Sequence, residues 1–346
     1  MLNENSRILV HGVGYVKIKD IQLEEFEVWD GEDYVVSKLD TSESKTCCKI
    51  SFYGGNFITC SAEHKFFAQM SNTKADWIEA KNLTNKHRIL LVEETPKFDF
   101  FPTNEYKLLG KLPSLLLGVL LGTEYLFGDT EIISVPKLKI NQPRMITFTI
   151  PESDRDLKRT LIEIFKELDV KYQVGEIYRS SSNLTTIDVK GKDFLEELTS
   201  LSLRNGFVEP LWTSKPLLEG ILKVFFDYSK KSPEMFELYL DETKLFKDVQ
   251  QALFLFGVVS SVTRGLRKSR LTVMKKNSYR FCKKVGLIKP EKVLDVVEYS
   301  KLKKFRDVET LKVQVSEIGL TPCVSSMYDV KNNNVHKFVV SGLVTQ

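Results

Sequence analysis

Up to about Val92, apolar positions come in short runs such as Ile8-Leu9-Val10, Val35-Val36 and Phe57-Ile58, parted by Gly, Asp and Asn. Runs this short, with turn residues between them, predict the strands of an all-β region. Asp30-Gly31 and Gly54-Gly55 predict tight hairpins, because such dipeptides supply the positive φ that these turns need. Glu93 to Tyr106 holds two prolines and several polar residues and predicts a linker. Alternation returns near the C-terminus, in Leu311-Lys312-Val313-Gln314-Val315 and from His336 to Val340.

The middle of the chain follows another period. Leu115 to Gly122 and Leu217 to Phe226 are almost wholly apolar and predict two buried helices. A similar order of elements follows each. After the first come a strand from Met145 to Ile150, a helix from Asp154 to Leu168, strands through Val174 and Ile187, and a helix from Asp193. After the second come a strand from Met235 to Leu240, a helix from Lys244 to Phe256, strands through Val262 and Leu271 to Val273, and a helix from Tyr279. The repetition predicts an internal duplication whose halves share one interface. A β segment on either side of this duplicated α/β stretch predicts one domain inserted into another.

A length of 346 residues allows two or more filled cores. Apolar residues make up 42% and charged residues 28%, a globular balance, and the net charge of +4 is too small to point to any partner. No apolar run reaches membrane-spanning length and no signal-like segment opens the chain, so the expectation is an intracellular protein, not secreted and without a membrane partner. The five cysteines, Cys47, Cys48, Cys60, Cys282 and Cys323, lack regular spacing, so they are expected to be small buried residues, not disulfides or zinc ligands. His11 and His87 belong to no motif and are expected on the surface or in loops.

The chemistry-bearing residues gather at the two ends. The chain begins Met1-Leu2-Asn3-Glu4-Asn5-Ser6-Arg7-Ile8-Leu9. A second motif runs from Gly55 to Phe67 and contains Ser61 and His64; Asp76 to Leu83 is a third. Met327-Tyr328-Asp329-Val330 with His336-Lys337-Phe338, then Val340 to Gln346, close the series. In order and placement these segments resemble the splicing motifs of inteins, which excise themselves from a host protein and join the flanks. The resemblance implies a mainly β splicing domain of the Hint-like horseshoe type, split by an insertion. It also implies roles for Met1 (the position of the nucleophilic Cys or Ser), Ser61, His64, Asp329, His336, Thr345 and Gln346. The nucleophile at residue 1 would attack the preceding carbonyl. His64 would protonate the departing amine and Ser61 would hold the scissile amide. Asp329 would tune the nucleophile, His336 would polarise the C-terminal carbonyl, and the Gln346 amide would cyclise. Three positions depart from the pattern. Met1 has no ionisable proton and reads as an initiator methionine in place of Cys. Thr345 stands where most inteins have His, and Gln346 where most have Asn.

The helices at Leu116 to Glu124 and Leu218 to Phe226 resemble the paired LAGLIDADG helices of homing endonucleases, which pack through small residues, here Gly118, Gly122 and Gly220. The resemblance implies two αββαββ-like repeats and an acidic metal ligand at each helix end. Thr123 and Phe225 occupy those positions, while Glu124 and Asp227 lie one and two residues away. Phe207-Val208-Glu209-Pro210 stands where the family has a supporting Lys. The insertion therefore reads as a degenerate endonuclease with no metal site. Arg264, Arg267, Lys268, Arg270, Lys275 and Lys276 form a basic cluster suited to DNA phosphates.

The expected plan is residues 1–95 and 291–346 as one splicing domain, 96–110 as a linker and 111–290 as the insertion. The expected partners are the flanking host-protein segments (exteins) and double-stranded DNA, with the chain itself a monomer. Splicing needs no cofactor; Mg²⁺ enters only if the endonuclease is active. Two alternatives remain open: an active metal-dependent endonuclease using Glu124 or Asp227, and a non-catalytic DNA-binding protein.

Overall fold

The computed structural model describes the chain except residues 43–45, 71–72, 93–94, 132–144, 179–182, 233, 241–242, 264, 266–268, 290–292, 294–295, 299–310, 324–325, 333–336 and 342. Fourteen strands make one large sheet, all paired antiparallel. Its members from the C-terminal part are each seated among strands from the first part. Leu311–Pro322 lies between His87–Leu91 and Thr46–Phe52. Met327–Asn332 lies between Leu2–Asn3 and Tyr34–Ser42. The hairpin of Phe338–Val340 and Leu343–Thr345 bridges Arg7–Val10 to Lys65–Met70. Alternation carries one apolar face inward in Phe26–Trp29, where Phe26 and Val28 are buried while Glu27 and Trp29 are partly exposed.

Both hairpins expected from turn residues form. Trp29 pairs with Tyr34 across a turn whose Gly31 has φ +108°, and Asp30 accepts the N–H groups of Glu32 and Asp33. Ser51 pairs with Phe57 across Gly54 and Gly55, both at positive φ. The cysteine expectation needs correction. Cys47 and Cys323 form a disulfide, with Cα atoms 5.1 Å apart at a sequence separation of 276. Their proximity comes from strand register, since Cys47 pairs with Thr321, and no local spacing could signal it. Cys48, Cys60 and Cys282 keep their thiols and are buried, as expected. His11 is exposed, but His87 is buried, with its Nδ1 accepting the Thr84 N–H at 2.9 Å.

The middle of the chain repeats one arrangement. Its helices are α1 (Ser114–Phe127), α2 (Arg155–Glu167), α3 (Lys192–Ser200), α4 (Lys215–Asp227), α5 (Thr243–Leu255) and α6 (Lys276–Lys284). The first half forms the sheet Gly128–Glu131, Met145–Pro151, Asn183–Lys190, Lys171–Tyr178 in spatial order; the second forms Lys230–Ser232, Met235–Leu240, Ser269–Met274, Ser261–Thr263. Each half reads αββαββα with the same strand order. The edge strands Gly128–Glu131 and Lys230–Ser232 were not legible, being short and polar. In α2, Leu157, Leu161, Ile164 and Phe165 recur on one buried face. In α1, every residue from Leu117 to Glu124 is buried, which explains its unbroken apolar run.

Helices α1 and α4 meet backbone to backbone. A Cβ added at Gly118 would lie 2.1 Å from the Leu217 carbonyl oxygen, and one at Gly220 would lie 2.3 Å from that of Leu115. Only glycine permits this approach, and it brings the two halves of the duplication into one core.

The inserted unit is also fastened to the sheet. The Arg7 guanidinium donates to the Tyr15 carbonyl and to Glu209, each at 2.9 Å, and lies 4.5 Å over the Trp212 ring. Lys17 shares Glu209. Gln250 on α5 donates to the Gly54 carbonyl at 2.8 Å. The segment expected as a linker is itself packed: Phe98 and Phe101 are buried, and Phe100 N–H bonds the Thr213 carbonyl at 2.8 Å.

Helix propensity alone predicts that Gly118→Ala stabilises the protein by about 1 kcal/mol. The contact with Leu217 predicts the opposite, a net loss of about 1–3 kcal/mol from overpacking. Chemical denaturation distinguishes the two, and a gain in stability would refute the close approach.

Candidate active site

The sheet brings residue 1 and residue 345 to the same imidazole. Leu2 pairs with Cys60 on one side and Tyr328 on the other, which sets Met1 at the end of Phe57–Ser61. Ser61 N–H donates to the Met1 carbonyl at 3.0 Å, and His64 N–H donates to the Ser61 carbonyl at 3.1 Å. The second bond closes a tight turn, from which the His64 side chain faces the start of the chain. Its Nδ1 lies 3.1 Å from the Met1 nitrogen. Thr345 pairs with Phe66, so its hydroxyl faces the other side of the ring and bonds Nε2. The same hydroxyl reaches the Lys65 carbonyl at 2.8 Å, which also accepts the Gln346 N–H at 3.0 Å.

The site is dry on the imidazole side and wetter at the acid. His64 is 3% exposed and sits edge-on to Phe66 and Phe338, with ring centroids 5.1 and 6.3 Å away. Burial holds its pKa well below the usual histidine value, and the neighbouring amine adds to that shift. Burial also lowers the Met1 amine, against the opposing pull of Asp329. The Asp329 carboxylate is 3.7 Å from that amine and 43% exposed. Burial pushes the Cys60 thiol up, which keeps it protonated beside the site.

Of the residues expected at the splicing site, Met1, Ser61, His64, Asp329, Thr345 and Gln346 are gathered here. Ser61 and Gln346 enter through backbone bonds. His336 lies outside the described residues. The contribution that sequence reasoning missed is the Lys65 carbonyl; a backbone acceptor leaves no mark on residue type.

The ends of α1 and α4 are different. Thr123 and Phe225 are fully buried; the Thr123 hydroxyl bonds back to the Val119 carbonyl at 2.7 Å, and Phe225 packs on Tyr125 at 5.4 Å. Glu124 is 4% exposed, with Arg204 at 3.6 Å and Ser202 at 3.4 Å, and burial raises its pKa. Asp227 is 2% exposed and faces Lys289 at 4.0 Å, which also pairs with Asp154. Tyr228 donates to Asp154 at 2.6 Å. Each acid near the helix ends thus has a cation within 4.0 Å, Arg204 for Glu124 and Lys289 for Asp227. Among the described residues, no three His, Cys, Asp or Glu side chains are placed to share a metal ion.

In the basic cluster, Lys275 and Lys276 are exposed, while Arg270 is tied to Glu237 at 2.9 Å. Arg264, Arg267 and Lys268 lie outside the described residues. A cavity of about 220 Å³ opens between the large sheet and α5, lined by Asn3, Phe52, Phe57, Lys247, Gln251 and Leu343.

No protein-family model matches the sequence, and no curated protein does. Among solved structures, full-length DUF199/WhiA from Thermatoga maritima matches at 17% identity and TM-score 0.42, over 60% of this chain and 69% of that one. The homing endonuclease I-DmoI in complex with DNA and Mn matches at 14% identity and TM-score 0.42, over 50% of this chain and 97% of that one. The N-terminal LAGLIDADG domain of DUF199/WhiA matches at 16% identity and TM-score 0.36, over 56% and 92%. These are likenesses at low sequence identity.

The depressed pKa of His64 has a consequence for stability. Unfolded, the imidazole binds a proton near pH 6.5; folded, it resists one. Its contribution is therefore present above pH 6.5 and lost as pH falls below that. Between pH 7.5 and 5.5, the unfolding free energy should fall more steeply than in the His64→Gln variant. Parallel slopes in urea titrations would contradict the burial of a neutral ring.

Proposed function

We propose that the chain is a self-splicing element of the intein kind, with a Hint-like horseshoe domain split by an endonuclease-like insertion. One observation carries this reading: a single buried imidazole lies within hydrogen-bond reach of the nitrogen of residue 1 and the hydroxyl of residue 345. Two bonds that flank a segment can be worked from one site only if the segment's ends converge. In a host protein, the residue-1 nitrogen is an amide. A thiol or hydroxyl side chain at that position adds to the preceding carbonyl, its proton passes to His64 Nδ1, and the nitrogen takes that proton as the C–N bond breaks. Asp329 faces the same nitrogen and stabilises positive charge there. After the upstream flank passes to the nucleophile that follows residue 346, the Gln346 side-chain amide attacks its own backbone carbonyl. A six-membered imide forms and the downstream amine departs. Holding the groups together makes each step intramolecular. No cofactor is needed, the partners are the flanking segments, and the reaction takes place where the host protein is made.

Met1→Cys, fused behind a carrier protein, should release that carrier on treatment with a thiol. Adding His64→Ala should slow release by roughly 10²–10⁴-fold, the usual worth of a general acid. Equal release with and without His64 would exclude it as the proton donor; no release from Met1→Cys at all would sink the splicing reading.

A second reading concerns the insertion: that it binds double-stranded DNA without cutting it. Two similar sheets and exposed Lys275 and Lys276 support it, and the faint structural likenesses accord with it better than with splicing. Glu124 and Asp227, each buried and facing a cation of this chain, are poor metal ligands. Binding should weaken steeply as salt rises, and Lys275→Glu with Lys276→Glu should weaken it further. Incubation with Mg²⁺ should leave the DNA whole. Specific double-strand cleavage would overturn this and favour an active endonuclease.

A further inference from the structure

We infer that Thr345 is a positioning residue that locks His64 in one tautomer, with the ring proton on Nε2 and the lone pair of Nδ1 facing residue 1. The assignment follows from counting hydrogens. The Thr345 oxygen contacts two groups, His64 Nε2 and the Lys65 carbonyl. A carbonyl can only accept, so the single hydroxyl hydrogen goes to Lys65. That carbonyl has two lone pairs, and its second bond, from Gln346 N–H, leaves room for the hydroxyl. The Thr345 oxygen must then accept from Nε2, which must carry the ring proton. Reversing the hydroxyl would set its lone pairs against those of the carbonyl at 2.8 Å. A neutral imidazole has one N–H, so Nδ1 is bare, and it is the nitrogen 3.1 Å from residue 1.

The consequence for chemistry rests on the splicing reading. With Nε2 already protonated, any proton the ring takes up goes to Nδ1 and can be returned only to the residue-1 nitrogen as its C–N bond breaks. No net proton is gained or lost at the ring. The opposite tautomer would take its proton on the side away from the scissile bond. A hydroxyl on the C-terminal strand thereby sets the state of the base at the N-terminal bond. Displacing Leu343–Thr345 would release it.

The test separates the tautomer from the splicing reading. In the unaltered chain labelled with ¹⁵N-histidine, with His64 identified by the signals lost in His64→Gln, Nδ1 should resonate as an unprotonated nitrogen and Nε2 as an N–H. Thr345→Ser keeps the hydroxyl and should keep this pattern. Thr345→Val removes it and should move the proton to Nδ1 or mix the forms. In the Met1→Cys fusion, Thr345→Val should slow thiol release by about tenfold or more, since a wrong tautomer at a catalytic imidazole has an effect of up to about 10⁴-fold; Thr345→Ser should restore most of the rate. A proton on Nδ1 in the unaltered chain, or an unchanged tautomer in Thr345→Val, overturns the inference. If Thr345→Val does not fold, the unaltered chain and Thr345→Ser decide it alone. A tautomer that behaves as stated in a fusion that never releases its carrier would leave the positioning role standing and reject splicing.

Discussion

The structure depends on one strand pairing. Leu2–Asn3 is two residues long, and it is held on both edges, by Phe57–Ser61 and by Met327–Asn332. So short a strand has no stability of its own. Its place is fixed because Leu2 is wholly buried and because strands distant in sequence close around it. From that pairing follow the position of the residue-1 nitrogen, its contact with His64, and the approach of Asp329 from the adjoining strand.

The sheet could hold its C-terminal strands only if the chain between them returned to where it left. The inserted unit provides this. Its two similar halves share a core through the glycine contact of α1 and α4, while Arg7, buried at 4% exposure, joins the sheet to Glu209 and Trp212. A buried guanidinium is costly unless its donors are met, and here a carboxylate, a carbonyl and a ring face meet them. Burial would raise the Glu209 carboxyl, yet Arg7 and Lys17 pull it below its ordinary value. The pairing holds the split sheet together across the insertion.

The same logic of satisfied charge distinguishes the two regions with possible chemistry. At the sheet, His64 is desolvated and its Nδ1 faces the residue-1 nitrogen. At the helix ends, Glu124 and Asp227 are desolvated too, but Arg204 and Lys289 answer them. A buried carboxylate that already faces a cation offers less to a metal ion. Burial alone therefore does not mark a reactive group; what matters is whether its partner is one that a reaction can change.

The residue pattern by itself determined the helices of the middle region, the longer strands, the two hairpin turns and the duplication, because periods of two and of three to four report burial within one element. The resemblance to splicing motifs, carried by the order of residues along the chain, pointed to His64, Asp329 and Thr345. Register between distant segments was beyond it. The Cys47–Cys323 disulfide, the burial of His87, the two short edge strands, the packing of Phe98 and Phe101, and the Lys65 carbonyl that orients Thr345 all arise where one part of the chain meets another. Those meetings are set by backbone hydrogen bonds, whose acceptor every residue carries and whose donor every residue but proline carries, and so only the tertiary structure decided them.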